Sequence, residues 1–103
     1  MIVWLDDIRD PKDYGVNDAI WIKDYKSFVK HIVQKGMPTK IYFDHDLGED
    51  SKTGYDAAKF VIHYCIMHGI APPAYEIQSA NPVGRDNIDG RFKSYKKFID
   101  FNW

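Results

Sequence analysis

The sequence holds a single cysteine, Cys65, which excludes an intramolecular disulfide and a cysteine-ligated zinc centre and suits a reducing compartment. It has no excess charge of either sign: fourteen Lys and Arg against fifteen Asp and Glu leave a formal net charge of -1. No global positive field is therefore available to hold nucleic acid, so strong non-specific binding is not expected. There is no apolar run long enough to span a bilayer and no leader pattern, since the strand-like run Ile2-Val3-Trp4-Leu5 follows Met1 directly. A cytoplasmic address without membrane attachment is the resulting expectation. With 103 residues the chain is expected to form one domain, residues 1–103, around one core.

What is present is aromatic mass and a regular alternation of elements. Three Trp, seven Tyr and six Phe supply large apolar surfaces, which a small chain without disulfides needs. Ile2-Val3-Trp4-Leu5, Ala19 to Ile22, Lys40 to Phe43 and Tyr75 to Gln78 read as four short strands. The segment from Arg9 to Gly15, with Pro11, reads as loop. Asp24 is placed to cap a helix with Phe28, Val29, Ile32 and Val33 at helical spacing, and Gly36 and Pro38 stop it. Thr53-Gly54-Tyr55-Asp56 has capping-box spacing and opens a helix to about His68, ended by Gly69; its apolar residues surround it almost entirely, as for a helix packed deeply on a sheet. After Asn81-Pro82, which resembles an N-cap followed by an N1 proline, a last amphipathic helix carries Ile88, Phe92, Tyr95 and Ile99 on one stripe.

Strands alternating with helices predict an α/β domain with a mainly parallel sheet, because parallel neighbours need a crossover between them. A flavodoxin-like order, 2-1-3-4, in a three-layer sandwich puts strands one and three side by side at the topological switch point. The carboxyl ends of those strands carry Asp6, Asp7, Asp44 and Asp46. Four carboxylates converging on one crevice repel each other, by several kcal/mol for a pair ~4 Å apart at an effective dielectric of ~20, unless a cation intervenes. Oxygen ligands without a cysteine cluster favour Mg²⁺, with Mn²⁺ or Ca²⁺ as alternatives. For one Asp pair alone a solvated loop or a helix cap is the better reading; repetition at both central strand ends favours a site.

His45, between two of these acids, is the acid/base candidate. His63 and His68 are five apart on one helix and do not share a face as a metal pair would. An EF-hand reading of Asp44 to Tyr55 fails because Gly48 and Tyr55 stand where oxygen ligands are needed. The loop after strand four brings Ser79, Asn81, Gly84 and Arg85, hydroxyl, amide and guanidinium groups suited to phosphate oxygens. Arg9 either closes the other side of a phosphate or neutralises Asp7 or Asp10.

Four blocks in order, Leu5-Asp6-Asp7-Ile8-Arg9 with Pro11, Phe43-Asp44-His45-Asp46-Leu47-Gly48, Thr53-Gly54-Tyr55-Asp56, and Ser79-Ala80-Asn81-Pro82-Val83-Gly84-Arg85-Asp86-Asn87-Ile88, resemble the cyclic-phosphate processing receiver-like domains over nearly the whole chain. The resemblance implies a receiver-derived fold, truncated before a fifth strand, and action on a cyclic phosphate, typically a 2′,3′-cyclic end on RNA or a nucleotide. By that resemblance Asp6, Asp7 and Asp44 form the acidic, Mg²⁺-holding pocket, and Ser79 is the hydroxyl residue at the end of strand four. His45, Asp46, Asn81 and Arg85 are additions of the family. Gln78 departs from it, standing where a His is expected. The residues and the resemblance together lead to a metal-dependent phosphoesterase as the expected function, with His45 and Asp46 as catalytic residues and Arg9, Ser79, Asn81 and Arg85 as substrate-binding residues. The alternatives are a phosphoacceptor receiver, with Asp44 phosphorylated, and a non-catalytic phosphate- or nucleotide-binding module.

Overall fold

The computed structural model describes residues 1–47, 52–79 and 81–102; Gly48 and Ala80 of the quoted blocks lie outside the described residues. Four strands form one sheet: β1 (Ile2–Leu5), β2 (Ala19–Ile22), β3 (Lys40–Phe43) and β4 (Ala74–Ile77). Their order is β2-β1-β3-β4, as the flavodoxin-like reading expected, and every pairing is parallel where a mainly parallel sheet was expected. Among the described residues three α-helices accompany the sheet: α1 (Tyr25–Lys35), α2 (Gly54–His68) and α3 (Pro82–Asn102). The strand-four register begins one residue earlier than the sequence reading placed it, although Gln78 N–H still bonds the Phe43 carbonyl at 2.7 Å.

The helix boundaries follow from local chemistry. Asp24 accepts from Ser27 N–H at 2.8 Å at the start of α1, and the Thr53–Asp56 capping box at α2 is complete in both directions. Asn81 Oδ1 accepts from Gly84 N–H at 3.1 Å and so caps α3 just before Pro82. Gly69, with φ of 62°, ends α2 in the left-handed region, where a side chain would be strained.

Alternation along the strands sends Val3, Leu5, Ile41 and Phe43 to one face, where they join Phe28 and Ile32 of α1, Ala57, Ala58, Val61 and Cys65 of α2, and Ile88, Phe92 and Tyr95 of α3 in the core. All three helices therefore share one face. Right-handed crossovers explain this for α1 and α2, since β2-to-β3 and β3-to-β4 step across the sheet in the same direction whereas β1-to-β2 steps the other way; α3, which follows the last strand, joins them by packing Ile88, Phe92 and Tyr95 into the same core. The third layer of the expected sandwich is thin: the β1-to-β2 connection holds only a 3-10 turn, Pro11–Tyr14, where the sequence reads as loop. Trp4 points to that side, fully buried against Tyr14 and Tyr42 with ring centroids 5.7 and 4.9 Å away. α2 is less enclosed than its composition suggests: its buried residues form one stripe, Gly54, Ala57, Ala58, Val61, Ile62 and Cys65, and Ile66 and Met67 are exposed, as is Val33 of α1.

Candidate acidic active site

Parallel β1 and β3 end at the same edge of the sheet, with Leu5 paired to Phe43. The next residue of each strand is an aspartate, and both are buried, Asp6 at 1 % and Asp44 at 5 % exposure. With Asp7 they offer carboxylate oxygens all within 4.8 Å of one another. Burial and the neighbouring Asp6 carboxylate push Asp44 up from 3.8 to about 6, the response of an acid held in poor solvent beside a like charge. Asp7 Oδ1 is buried with no hydrogen-bond partner among the described residues. An orphaned carboxylate oxygen costs free energy unless something satisfies it. Three clustered carboxylates with one such orphan fit a hard divalent cation.

The Asp6–Arg9 loop is held from several sides. Asp6 Oδ1 accepts from the N–H groups of Ile8 and Arg9 at 2.9 and 3.0 Å. Arg9 Nη1 lies 3.1 Å from Asp6 Oδ2 and 3.5 Å from Asp44 Oδ1, and the bond to Asp6 raises the pKa of the guanidinium further. Arg9 thus neutralises Asp6 and Asp44, not Asp7 or Asp10. Two indoles fix the loop backbone: Trp4 Nε1 donates to the Arg9 carbonyl at 2.8 Å and Trp21 Nε1 to the Asp6 carbonyl at 2.7 Å. The sequence reading assigned both tryptophans to strands. Their pairing in register, Trp4 beside Trp21, appears only once the strand order is known.

The acids at the end of β3 split into two groups. Asp44 turns into the cluster, while Asp46 is 72 % exposed at its side chain and pairs with His45, Oδ1 to Nδ1 at 3.2 Å. The expected convergence of four carboxylates therefore involves three; the chain has left the strand by residue 46 and no longer aims every second side chain at the crevice. The His45 side chain, 18 % exposed, rests against the first turn of α3. A Cβ at Gly84 would lie 2.3 Å from His45 Cγ, so no larger residue fits there without moving the imidazole. Gly54 performs the corresponding service for the backbone: a Cβ there would stand 1.8 Å from the Asp44 carbonyl oxygen, and its N–H donates to the His45 carbonyl at 2.8 Å. Both glycines stand in the quoted blocks, but only the close approach of two helix starts to residues 44 and 45 explains them.

Ser79 is buried and its Oγ accepts from Asn81 N–H at 3.0 Å. With Asn81 capping α3, this pair builds the helix start beside His45, and β4 delivers it to the same sheet edge as Asp44. Arg85 is set apart. Its exposed side chain lines a cavity on the outer side of β4, with Tyr75, Ile77, Pro82 and Asp86, and it makes no ion pair with the acidic cluster among the described residues.

A four-stranded parallel α/β sheet with buried aspartates at the ends of its two central strands defines a receiver-like domain. The family model of the cyclic-phosphate processing receiver domain matches residues 1–94, and the chain belongs to that family. No curated protein and no solved structure shows significant similarity to the chain. Among the described residues no helix is long and apolar enough to cross a membrane.

Proposed function

We propose that this receiver-like domain is a metal-dependent phosphoesterase that opens a cyclic phosphate, specifically a 2′,3′-cyclic phosphate on an RNA end or nucleotide. One observation carries the reading: Asp6, Asp7 and Asp44 each bring one carboxylate oxygen to within 4.8 Å of the others, next in sequence to a His45–Asp46 pair. In this reading the three aspartates hold Mg²⁺, which Mn²⁺ replaces, and the ion when bound supplies Lewis-acid polarisation of the phosphoryl group and lowers the pKa of water.

The chain's own groups then have separate tasks. Asp46 accepts from Nδ1–H of His45, which orients the imidazole and leaves Nε2 free for proton transfer. Water oxygen forms a bond to phosphorus and one ring P–O bond breaks; His45 takes the water proton and returns it to the departing ribose oxygen. The Ser79 hydroxyl and the helix start capped by Asn81 offer donors to the phosphate oxygens. Arg9, between Asp6 and Asp44, balances their charge, and its guanidinium would be a donor to phosphate oxygens at the mouth of the cluster. The substrate is met in the cytoplasm.

The test is turnover of an oligonucleotide ending in a 2′,3′-cyclic phosphate, with Mg²⁺ or Mn²⁺, followed by mass spectrometry for the added water. His45→Gln is expected to lower kcat by about 10²-fold or more, as for loss of a general acid–base group. Folded protein with no turnover under either ion sinks the proposal. Stoichiometric binding with the ligand recovered unchanged identifies a binding module instead, and an Asp44-dependent mass gain with acetyl phosphate identifies a phosphoacceptor.

A further inference from the structure

The cavity beside β4 has a volume of about 430 Å³, within the range of small-ligand sites. It lies on the same sheet edge as the acidic cluster: Ile77, the last residue of β4, pairs with Phe43, the residue before Asp44, and Pro82 opens α3. Parallel strands are ~4.8 Å apart, so the cavity beyond β4 is roughly two spacings, ~10 Å, from the Asp44 end of β3. One nucleoside bridges such a gap from phosphate to base.

The cavity contains a fixed aromatic platform. The Tyr75 ring is half-buried and stacked on buried Phe92, with centroids 4.2 Å apart and planes inclined by 18°. Its hydroxyl donates to Asp89, and Asp89 is held in turn by Lys93 at 2.7 Å. A ring fixed on one face and at its hydroxyl presents its remaining surface to the cavity without further loss of side-chain freedom. Asp89 is thereby occupied, whereas Arg85 and Asp86 line the same cavity and make no ion pair among the described residues. Their complementary chemistry selects one base. An Arg guanidinium pairs bidentately with O6 and N7 of guanine, and a carboxylate accepts from the guanine N1–H and N2–H groups; adenine, cytosine and uracil do not offer both patterns.

We propose that this cavity is the base-recognition subsite for a guanine nucleotide whose cyclic phosphate is processed at the acidic cluster. The base stacks on Tyr75, Arg85 reads its O6/N7 edge and Asp86 its amino edge. This inference rests on the phosphoesterase reading for its link to turnover, but the subsite can be tested separately.

Initial rates are measured with 2′,3′-cyclic GMP and 2′,3′-cyclic UMP. In parallel, backbone amide shifts are followed by NMR during titration with guanosine 3′-monophosphate and uridine 3′-monophosphate. KM for the guanine substrate is expected to be about tenfold lower, the order of discrimination a bidentate pair provides. Arg85→Gln, at an exposed position, and Tyr75→Leu are expected to raise the guanine KM toward the uracil value. Equal KM values for both bases, or a guanine preference that survives Arg85→Gln, overturn the subsite. If neither cyclic nucleotide is turned over, the phosphoesterase reading fails while the titration still decides the subsite. Shifts at Tyr75, Arg85 and Asp86 with the guanosine probe alone support it; no base-dependent shift there overturns it.

Discussion

Replacing Asp44 by Asn should stabilise the metal-free protein at pH 8. Asp44 is pushed from 3.8 to about 6, first by burial and then by Asp6. A carboxyl with a raised pKa favours the folded state when protonated, so its stabilising contribution is complete below pH ~4 and is lost as pH rises through about 6. At 1.36 kcal/mol per pKa unit, that displacement amounts to about 3 kcal/mol of destabilisation at pH 8 in wild-type protein without cation. Asn keeps the size and an oxygen acceptor for Arg9 but carries no charge. The assay is urea unfolding in EDTA at a series of pH values. The stability difference between variant and wild type should rise by about 1.4 kcal/mol per pH unit between ~4 and ~6 and level off above that. For a domain of this size a gain of about 3 kcal/mol corresponds to roughly 10–20 °C in Tm. Adding Mg²⁺ or Mn²⁺ should stabilise wild type and reverse the order. An Asp44→Asn protein less stable than wild type at pH 8 in EDTA, or a difference independent of pH, would refute the electrostatic account of this site.

Gly84→Ala tests the seat of His45: alanine in a helix ordinarily gains up to about 1 kcal/mol over glycine, but here the added Cβ would lie 2.3 Å from the imidazole. We expect the His45 ring resonances to move and turnover to fall; unchanged NMR shifts and unchanged kcat would contradict it. Trp21→Phe removes the 2.7 Å donor to the Asp6 carbonyl, and should cost about 1 kcal/mol of stability and weaken Mn²⁺ binding by calorimetry, whereas unaltered affinity would show that the indole does not support the loop. Cys65 is buried and pushed up to about 11, so a thiol reagent at pH 8 should modify it only as fast as the protein opens; rapid modification of native protein would argue against that burial.

Much of the fold was legible because its signals are local. Short apolar runs mark the strands, two of them followed directly by aspartates, and Asp24, Thr53 and Asn81 each cap the helix that the structure shows beginning after them. Strand order followed from the alternation of strands and helices, crossover handedness and the flavodoxin-like arrangement they suggest. The thin third layer was harder to read, because a 13-residue link between β1 and β2 with Pro and Gly admits either a loop or a short helix. The exposure of Val33, Ile66 and Met67 escaped as well, since apolar composition alone does not say which residues of a helix its neighbours cover.

The site divides along the same line. The sequence by itself determined that aspartates follow two strands, that histidine and hydroxyl groups accompany them, and which family motif they compose, because these depend on residue order. Only the tertiary structure decided that Asp6, Asp7 and Asp44 share one crevice while Asp46 turns to His45, and that Arg9 bridges two of the acids. It also decided that Trp4 and Trp21 hold the loop, that Gly54 and Gly84 admit the chain at residues 44 and 45, and that Arg85 faces the cavity outside β4. The physical reason is distance along the chain: these contacts join groups from separate strands and helices, and Coulomb, packing and hydrogen-bond terms of that kind have no counterpart in local sequence.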